Sequence, residues 1–350
     1  MAAPSPVERE LAVAEVPGER RDQEQVRPGT RVEGDGPQRE RVEAGSARGS
    51  HSSIVLAMRE PIPPDGGDQS DRPASTTALG AARLRAVHLL LDDPPPILND
   101  VLALRLLDPG AARAIEEQPD RWRTPLARSL RGEVVLRSRY AEDRLADAVQ
   151  RGVRQYVILG AGLDTFACRL PAWAAGLRII EVDHAASQRD KQASLGRAGI
   201  APPTNLRYAA ADLEADGLAH RLEVASLDTR QPAFVACLGV LIYLGQGAAD
   251  TIFTLAAGLP AGSEFVFTFS RPDGSTAGPP APGSAAARVA AVGEPWRNRY
   301  DPVALAGRLR VAGFRSVSLL SVEDVTARYL RGRTDGLIQP RRVFIADAVV

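Results

Sequence analysis

The stretch QYVILGAGLDTFACRLPAWAAGLRIIEVDH, residues 155–184, decides the fold. Tyr156 to Leu159 are apolar in unbroken succession, the pattern of a strand covered on both faces. They run straight into Gly160-Ala161-Gly162. Glycines at such a turn let the backbone approach a ligand closely, and a helix expected over Thr165 to Ala175 would present its free N–H groups there. A second apolar run ends in Glu181-Val182-Asp183, which puts Asp183 23 positions after Gly160. An acid about 20 residues beyond the glycines is placed to accept hydrogen bonds from ribose hydroxyls. Strand, glycines and acid together point to an adenosine-type ligand.

The dinucleotide fingerprint wants a third glycine at position 165, where this chain has Thr165, preceded by Asp164. A carboxylate beside the loop repels a pyrophosphate but suits a cationic head such as the amino group of S-adenosylmethionine. An NAD(P)-dependent oxidoreductase is therefore kept only as an alternative. Asp164 could equally cap the helix expected from Thr165.

Outward from this block, apolar runs continue in LRYAAAD, PAFVACLGV and SEFVFTFS, with FRSVSLLS and RRVFIADAVV near the end. Helical stretches separate them at 185–198, 217–225 and 246–257. Such alternation predicts a mostly parallel sheet of about seven strands with helices on both faces. Upstream the texture is helical: Thr76 to Leu91, Asn99 to Leu107, and a long helix over Thr124 to Gln150 with a break expected at Gly132. Residues 1–75 are crowded with Glu, Arg, Gly, Pro and Ser and read as a disordered extension. The only methionines are Met1 and Met58, so a start at Met58 is a second reading of residues 1–57. The expected division is an extension (1–75), a helical cap (76–150), a cofactor-binding core (151–270), a lid-like insertion (271–300) and C-terminal strands (301–350).

Composition narrows the classes. Forty-three basic residues balance 43 acidic ones, which argues against a nucleic-acid or membrane-surface binder. Two cysteines, Cys168 and Cys237, are too few for a disulfide framework or a metal cluster, and no metal is expected. The longest apolar stretch, Phe234 to Leu244, falls short of the roughly 20 residues that span a bilayer. A cytoplasmic protein is the expectation.

LGAGLDT, then EVDH, ADLE and a GVLIYL strand end resemble the leucine carboxyl methyltransferase family, and more closely its bacterial S-adenosylmethionine-dependent, polyketide-type O-methyltransferases. LNDVLALRLL, RSRYAEDRL, GEPWRNRYDP and LRVAGF support the resemblance, which covers about residues 75–346. It implies a Rossmann-like class I methyltransferase sheet with an N-terminal helical cap. It also implies O-methylation of a carboxylate or hydroxyl on a small molecule, with S-adenosylmethionine as cofactor. Carried over, Gly160 and Gly162 form the cofactor loop, Asp183 holds the ribose, Asp212 and Leu213 lie at the adenine, and Arg139 pairs with the methionine carboxylate. Two departures stand out: Val101 follows Asp100 where proline is frequent, and Leu238 occupies a position that is glutamate in the eukaryotic enzymes. A binding protein without turnover is thus a further alternative.

Several residues keep two readings. Arg137 competes with Arg139 on a helix rich in arginine. Asp212 could be a helix N-cap. Tyr243, at the end of the fourth strand, lines the methyl-transfer centre or packs in the core. His88 and Glu294 are candidates for a base if the acceptor is a hydroxyl; a carboxylate acceptor, already ionised, needs none. His184 is read as structural and Cys168 as a small buried residue. Oligomeric state has no signature.

Overall fold

The computed structural model describes residues 76–272, 297–339 and 343–350. The expected extension with Met58, and most of the insertion with Glu294, lie outside the described residues. Among the described residues four α-helices precede the sheet: α1 (Thr76–Leu91), α2 (Val101–Leu106), α3 (Pro109–Glu117) and α4 (Pro125–Gln150). The strands are β1 (Gln155–Leu159), β2 (Arg178–Asp183), β3 (Leu206–Ala210), β4 (Phe234–Cys237), β5 (Glu264–Ser270), β6 (Ser316–Leu319) and β7 (Val343–Val349). Between them run α5 (Ala185–Arg197), α6 (Leu218–Val224), α7 (Gln246–Ala257) and α8 (Pro302–Ala312).

All seven strands form one sheet in the order β3-β2-β1-β4-β5-β7-β6. The first five are mutually parallel, and β7 pairs antiparallel with both β5 and β6. The unbroken apolar runs have the expected cause. Val157 and Leu159 belong to the core on one face, Tyr156 and Ile158 to the core on the other. On the first face Phe265 stacks on Phe267 and Phe269 packs tilted against Phe267, and each buried phenylalanine stabilises by roughly 2–3 kcal/mol. Among the described residues no helix is long and apolar enough to cross a membrane.

Helix α4 carries the cap onto the sheet. Thr124 caps it by accepting from the Ala127 amide, and Pro125 occupies its first turn. The break expected at Gly132 does not occur. That glycine is instead a point of close approach, because a Cβ there would collide with the Ile338 carbonyl oxygen. On its sheet-facing side, Tyr140 donates to Asp347 Oδ2 (3.1 Å), while Arg144 and Arg151 each donate to Glu264 at 2.6 Å. Burial raises the Glu264 and Asp347 carboxyls above their usual range despite these arginines. A second correction falls at Thr165 to Ala175, which forms two short 3-10 turns, Phe166–Arg169 and Ala172–Ala174. Pro171, with no N–H to donate and a restricted residue before it, interrupts the segment.

Candidate active site

The carboxyl ends of the parallel strands open into a cleft of about 300 Å³, walled on the far side by α1 and α4. Its floor is the glycine loop. Gly160 (φ +67°) and Gly162 (φ +48°) take left-handed conformations that only glycine adopts cheaply. A side chain at Gly160 would collide with Val240, and at Gly162 a Cβ would lie 3.0 Å from that of Ala78 on α1. Gly160→Ala is therefore expected to cost about 2–5 kcal/mol, from the left-handed penalty plus overpacking. Thermal unfolding would show it as a drop of several degrees. Gly176→Ala, whose added methyl meets nothing, should leave the transition in place.

Polar groups hold the loop from below. Asp183 accepts from the Gly162 amide through Oδ2 (2.6 Å) and from the His184 amide through Oδ1 (2.7 Å). Each oxygen keeps a lone pair for a ligand. Arg85 of α1 donates to the Leu163 carbonyl (2.6 Å) and to Asp100 (2.7 Å). Burial tends to raise the Asp100 carboxyl, but the charges of Arg85 and Arg169 hold it below its usual value. Arg169 in turn grips Glu142 with two nitrogens. Behind β2, Lys191, the only lysine of the chain, pairs with Glu181 at 2.5 Å in a fully buried setting.

Of the residues singled out from sequence, Gly160, Gly162, Asp164, Asp183, Asp212, Leu213 and Tyr243 all line the cleft. Asp164 Oδ1 accepts from the Phe166 amide (2.8 Å), an Asx turn just before the 3-10 segment whose N-cap is Thr165, and the residue lines the cavity. Asp212 Oδ1 accepts from the Glu214 amide (2.9 Å) and stabilises a local turn; it is not the cap of α6, which Gly217 precedes. His184 caps α5, its Nδ1 accepting from Ala186.

Arg139 is not brought to the cleft. It is 44% exposed and bonds Asp143 (2.8 Å) and the Ile97 carbonyl (3.3 Å). Arg137 lines the cleft instead, only 14% exposed, with its Nη1 donating to Glu133 Oε1 (3.0 Å). Two positions along a helix differ by about 200°, so the two arginines point nearly oppositely. The Arg137 guanidinium lies against Gly239 (φ +74°), where a Cβ would be 2.6 Å from its Nη1. His88 also lies outside the cleft: buried, it contacts Asp92 through Nδ1 (2.8 Å) and accepts from the Ile97 amide at Nε2 (2.9 Å). Both ring nitrogens are thus committed to structure. Sequence reasoning passed over Arg85 and Gly239. Gly239 had a signal, a glycine just past an apolar strand; Arg85 had none beyond its charge. Among the described residues no group of His, Cys, Asp and Glu could hold a metal.

A family model for leucine carboxyl methyltransferase matches residues 78–257, just over half of the chain and the whole of this cleft's described floor. This protein belongs to the leucine carboxyl methyltransferase family. It is a methyltransferase by that membership, which sets aside the oxidoreductase alternative. It is similar to a protein of Mycobacterium marinum that bears the name "Putative S-adenosyl-L-methionine-dependent methyltransferase". The two are 36% identical over 211 residues, 58% of this chain and 68% of that protein. A protein of Mycolicibacterium smegmatis with the same name is 33% identical, over 62% of this chain and 64% of the relative. Alignment thus reaches about two thirds of the relatives' length. A DUF574 family protein from Streptomyces avermitilis resembles the structure loosely: 19% identity, 76% of this chain and 96% of that one, TM-score 0.44. The N-terminal domain of EvdMO1 with SAH bound gives 17% identity, 61% and 81% coverage, and a TM-score of 0.38.

Proposed function

We propose that this methyltransferase moves the methyl group of S-adenosylmethionine to an oxygen, carboxylate or hydroxyl, of a small molecule. The observation that carries the cofactor's placement is the order of polar groups along the sheet edge. Asp212 follows β3, Asp183 ends β2, the glycine loop follows β1, and Gly239, with Arg137 of α4 against it, follows β4. At about 4.8 Å per strand this is a run of roughly 14 Å, acidic at one end and cationic at the other. It suits an extended adenosyl amino acid. Asp212 and Leu213 flank the adenine, Asp183 takes the ribose hydroxyls, and Arg137 takes the carboxylate. Asp164, lining the cleft beside the glycine loop, takes the amine.

When bound, the cofactor supplies an electrophilic methyl group on a sulfonium. The protein's own contribution is to hold the nucleophile close and in line. His88 is committed elsewhere, and the histidine that lines the cleft, His184, stands at the ribose end beside Asp183 with Nδ1 accepting from the Ala186 amide; an acceptor already ionised needs neither. Tyr243 is the remaining polar side chain of the earlier candidates at the β4 end of the cleft. The small molecule would enter between Tyr243 and the α1 wall of Thr77, Ala78 and Ala81.

Calorimetric titration with S-adenosylmethionine, S-adenosylhomocysteine and NADH tests the cofactor, with Asp183→Asn as the control. The single oxygen of asparagine can still accept from Gly162, with the bond from the His184 amide lost, while the ribose loses a charged acceptor. The expected result is binding of both adenosyl ligands, weakened about 10–100-fold in the variant, and none of NADH. Release of adenosylhomocysteine with a panel of carboxylic acids and phenols then tests turnover. Absence of adenosyl binding would overturn the reading.

A further inference from the structure

We infer that Thr268 is a positioning residue for the cofactor's amino-acid end, an inference that rests on Arg137 being the ligand of the cofactor carboxylate. The need for it arises from the unequal lengths of two neighbouring strands. The β4–β5 pairing ends at Cys237 and Phe267, while β5 continues to Ser270. The chain leaving β4 turns away through Leu238 and Gly239, and the Gly239 amide loses the backbone partner that a longer ladder would have given it. A buried amide without an acceptor is costly, so a substitute has to be found. Thr268 provides it: its Oγ1 accepts from the Gly239 amide at 2.7 Å, and the side chain is buried.

That hydrogen bond reaches the cleft in one step. Gly239 is fixed in a left-handed conformation, and its bare Cα is the surface on which the Arg137 guanidinium rests, with Cζ and both terminal nitrogens within 2.7 Å of where a Cβ would be. Glu133 holds the same guanidinium from the previous turn of α4. The cation is thus confined from its face by a peptide and from its edge by a carboxylate. Thr268 touches neither cofactor nor acceptor; it sets the peptide that sets the arginine. Its hydroxyl lies on the α4 side of the sheet, because Thr268 alternates with Phe267 and Phe269, which pack on the opposite face.

The test compares two ligands in four proteins. S-adenosylhomocysteine carries the amino-acid end, whereas 5′-methylthioadenosine keeps the adenosine and thioether and lacks it. Thr268→Val keeps the branched shape and removes the acceptor; Thr268→Ser keeps the acceptor; Arg137→Ala removes the cation itself. Thr268→Val is expected to weaken adenosylhomocysteine about tenfold with methylthioadenosine unchanged, and Thr268→Ser to restore wild-type affinity. Should the valine variant fail to fold, Thr268→Ala takes its place with the same expectation. Equal weakening of both ligands, or no change in either, overturns the inference. Arg137→Ala separates the two layers: if it leaves the ratio of the two affinities unchanged, the reading of Arg137 has failed. If it collapses the ratio while Thr268→Val does not, only the role of Thr268 has.

Discussion

Replacing Arg137 by alanine is expected to weaken S-adenosylmethionine binding by about 30- to 1000-fold, while Arg139→Ala changes it by less than about threefold. The difference follows from surroundings, since the two residues are chemically identical. Arg137 is largely withdrawn from water and already held by Glu133 and the Gly239 peptide, so little ordering entropy is lost when a carboxylate arrives. A charge-assisted pair in that setting is worth roughly 2–4 kcal/mol. Arg139 forms an exposed pair with Asp143 one helical turn away, of the kind that contributes about 0–1 kcal/mol. Arg137→Lys should recover only part of the loss, because a point charge does not reproduce the planar fork. Isothermal titration with the three variants checks the ranking. A dominant effect at Arg139 would mean that the cofactor approaches the other face of α4.

The second large effect is on stability. Asp92 sits at the end of α1 with its side chain 1% exposed and accepts from Arg131 at Nε and Nη2, both 2.7 Å. Arg131 is equally buried and also donates to the Trp122 carbonyl (2.8 Å), and His88 contacts the same carboxylate. Asp92→Ala would leave a guanidinium inside the cap core without its counter-charge, a change that costs about 3–5 kcal/mol. For a domain of this size the melting temperature should fall by about 10 °C. The pH dependence has a defined sign. Burial acts to raise the Asp92 carboxyl, but hydrogen bonds from His88 and Arg131 and the arginine's charge outweigh it, leaving it below its usual value. A depressed folded-state value means that this contribution is fully present above the unfolded aspartate value of about 4 and is lost as pH falls below it. Denaturant titration of wild type and Asp92→Asn at pH 7 and pH 3 should therefore give a large gap at the first pH and a smaller one at the second. A gap that persists unchanged at pH 3 would contradict the assignment.

Much of the framework is legible in the chain because it depends on local rules. Unbroken apolar runs such as Tyr156 to Leu159 have one comfortable place, a strand covered on both faces, and all seven runs read as strands pair in the sheet. Gly160 and Gly162 are legible because only glycine takes their backbone angles cheaply, and Asp183 because a strand end one neighbour away puts it beside them. The glycines at 132 and 239 mark the limit. Neither breaks an element; each makes room for a group brought from far along the chain, the Ile338 carbonyl in one case and the Arg137 guanidinium in the other.

The sequence by itself determined the strands, the glycine turn and the acids at the strand ends, since each follows from the period of side chains and the torsional freedom of single residues. Tertiary structure decided which arginine faces the cleft and that His88 is a strut. It also placed Thr268 under Gly239. Those outcomes hang on the rotation of a 26-residue helix about its axis and on the relative lengths of adjacent strands. Both are settled only when distant residues such as Tyr140, Arg144 and Arg151 find Asp347 and Glu264 and lock α4 onto the sheet.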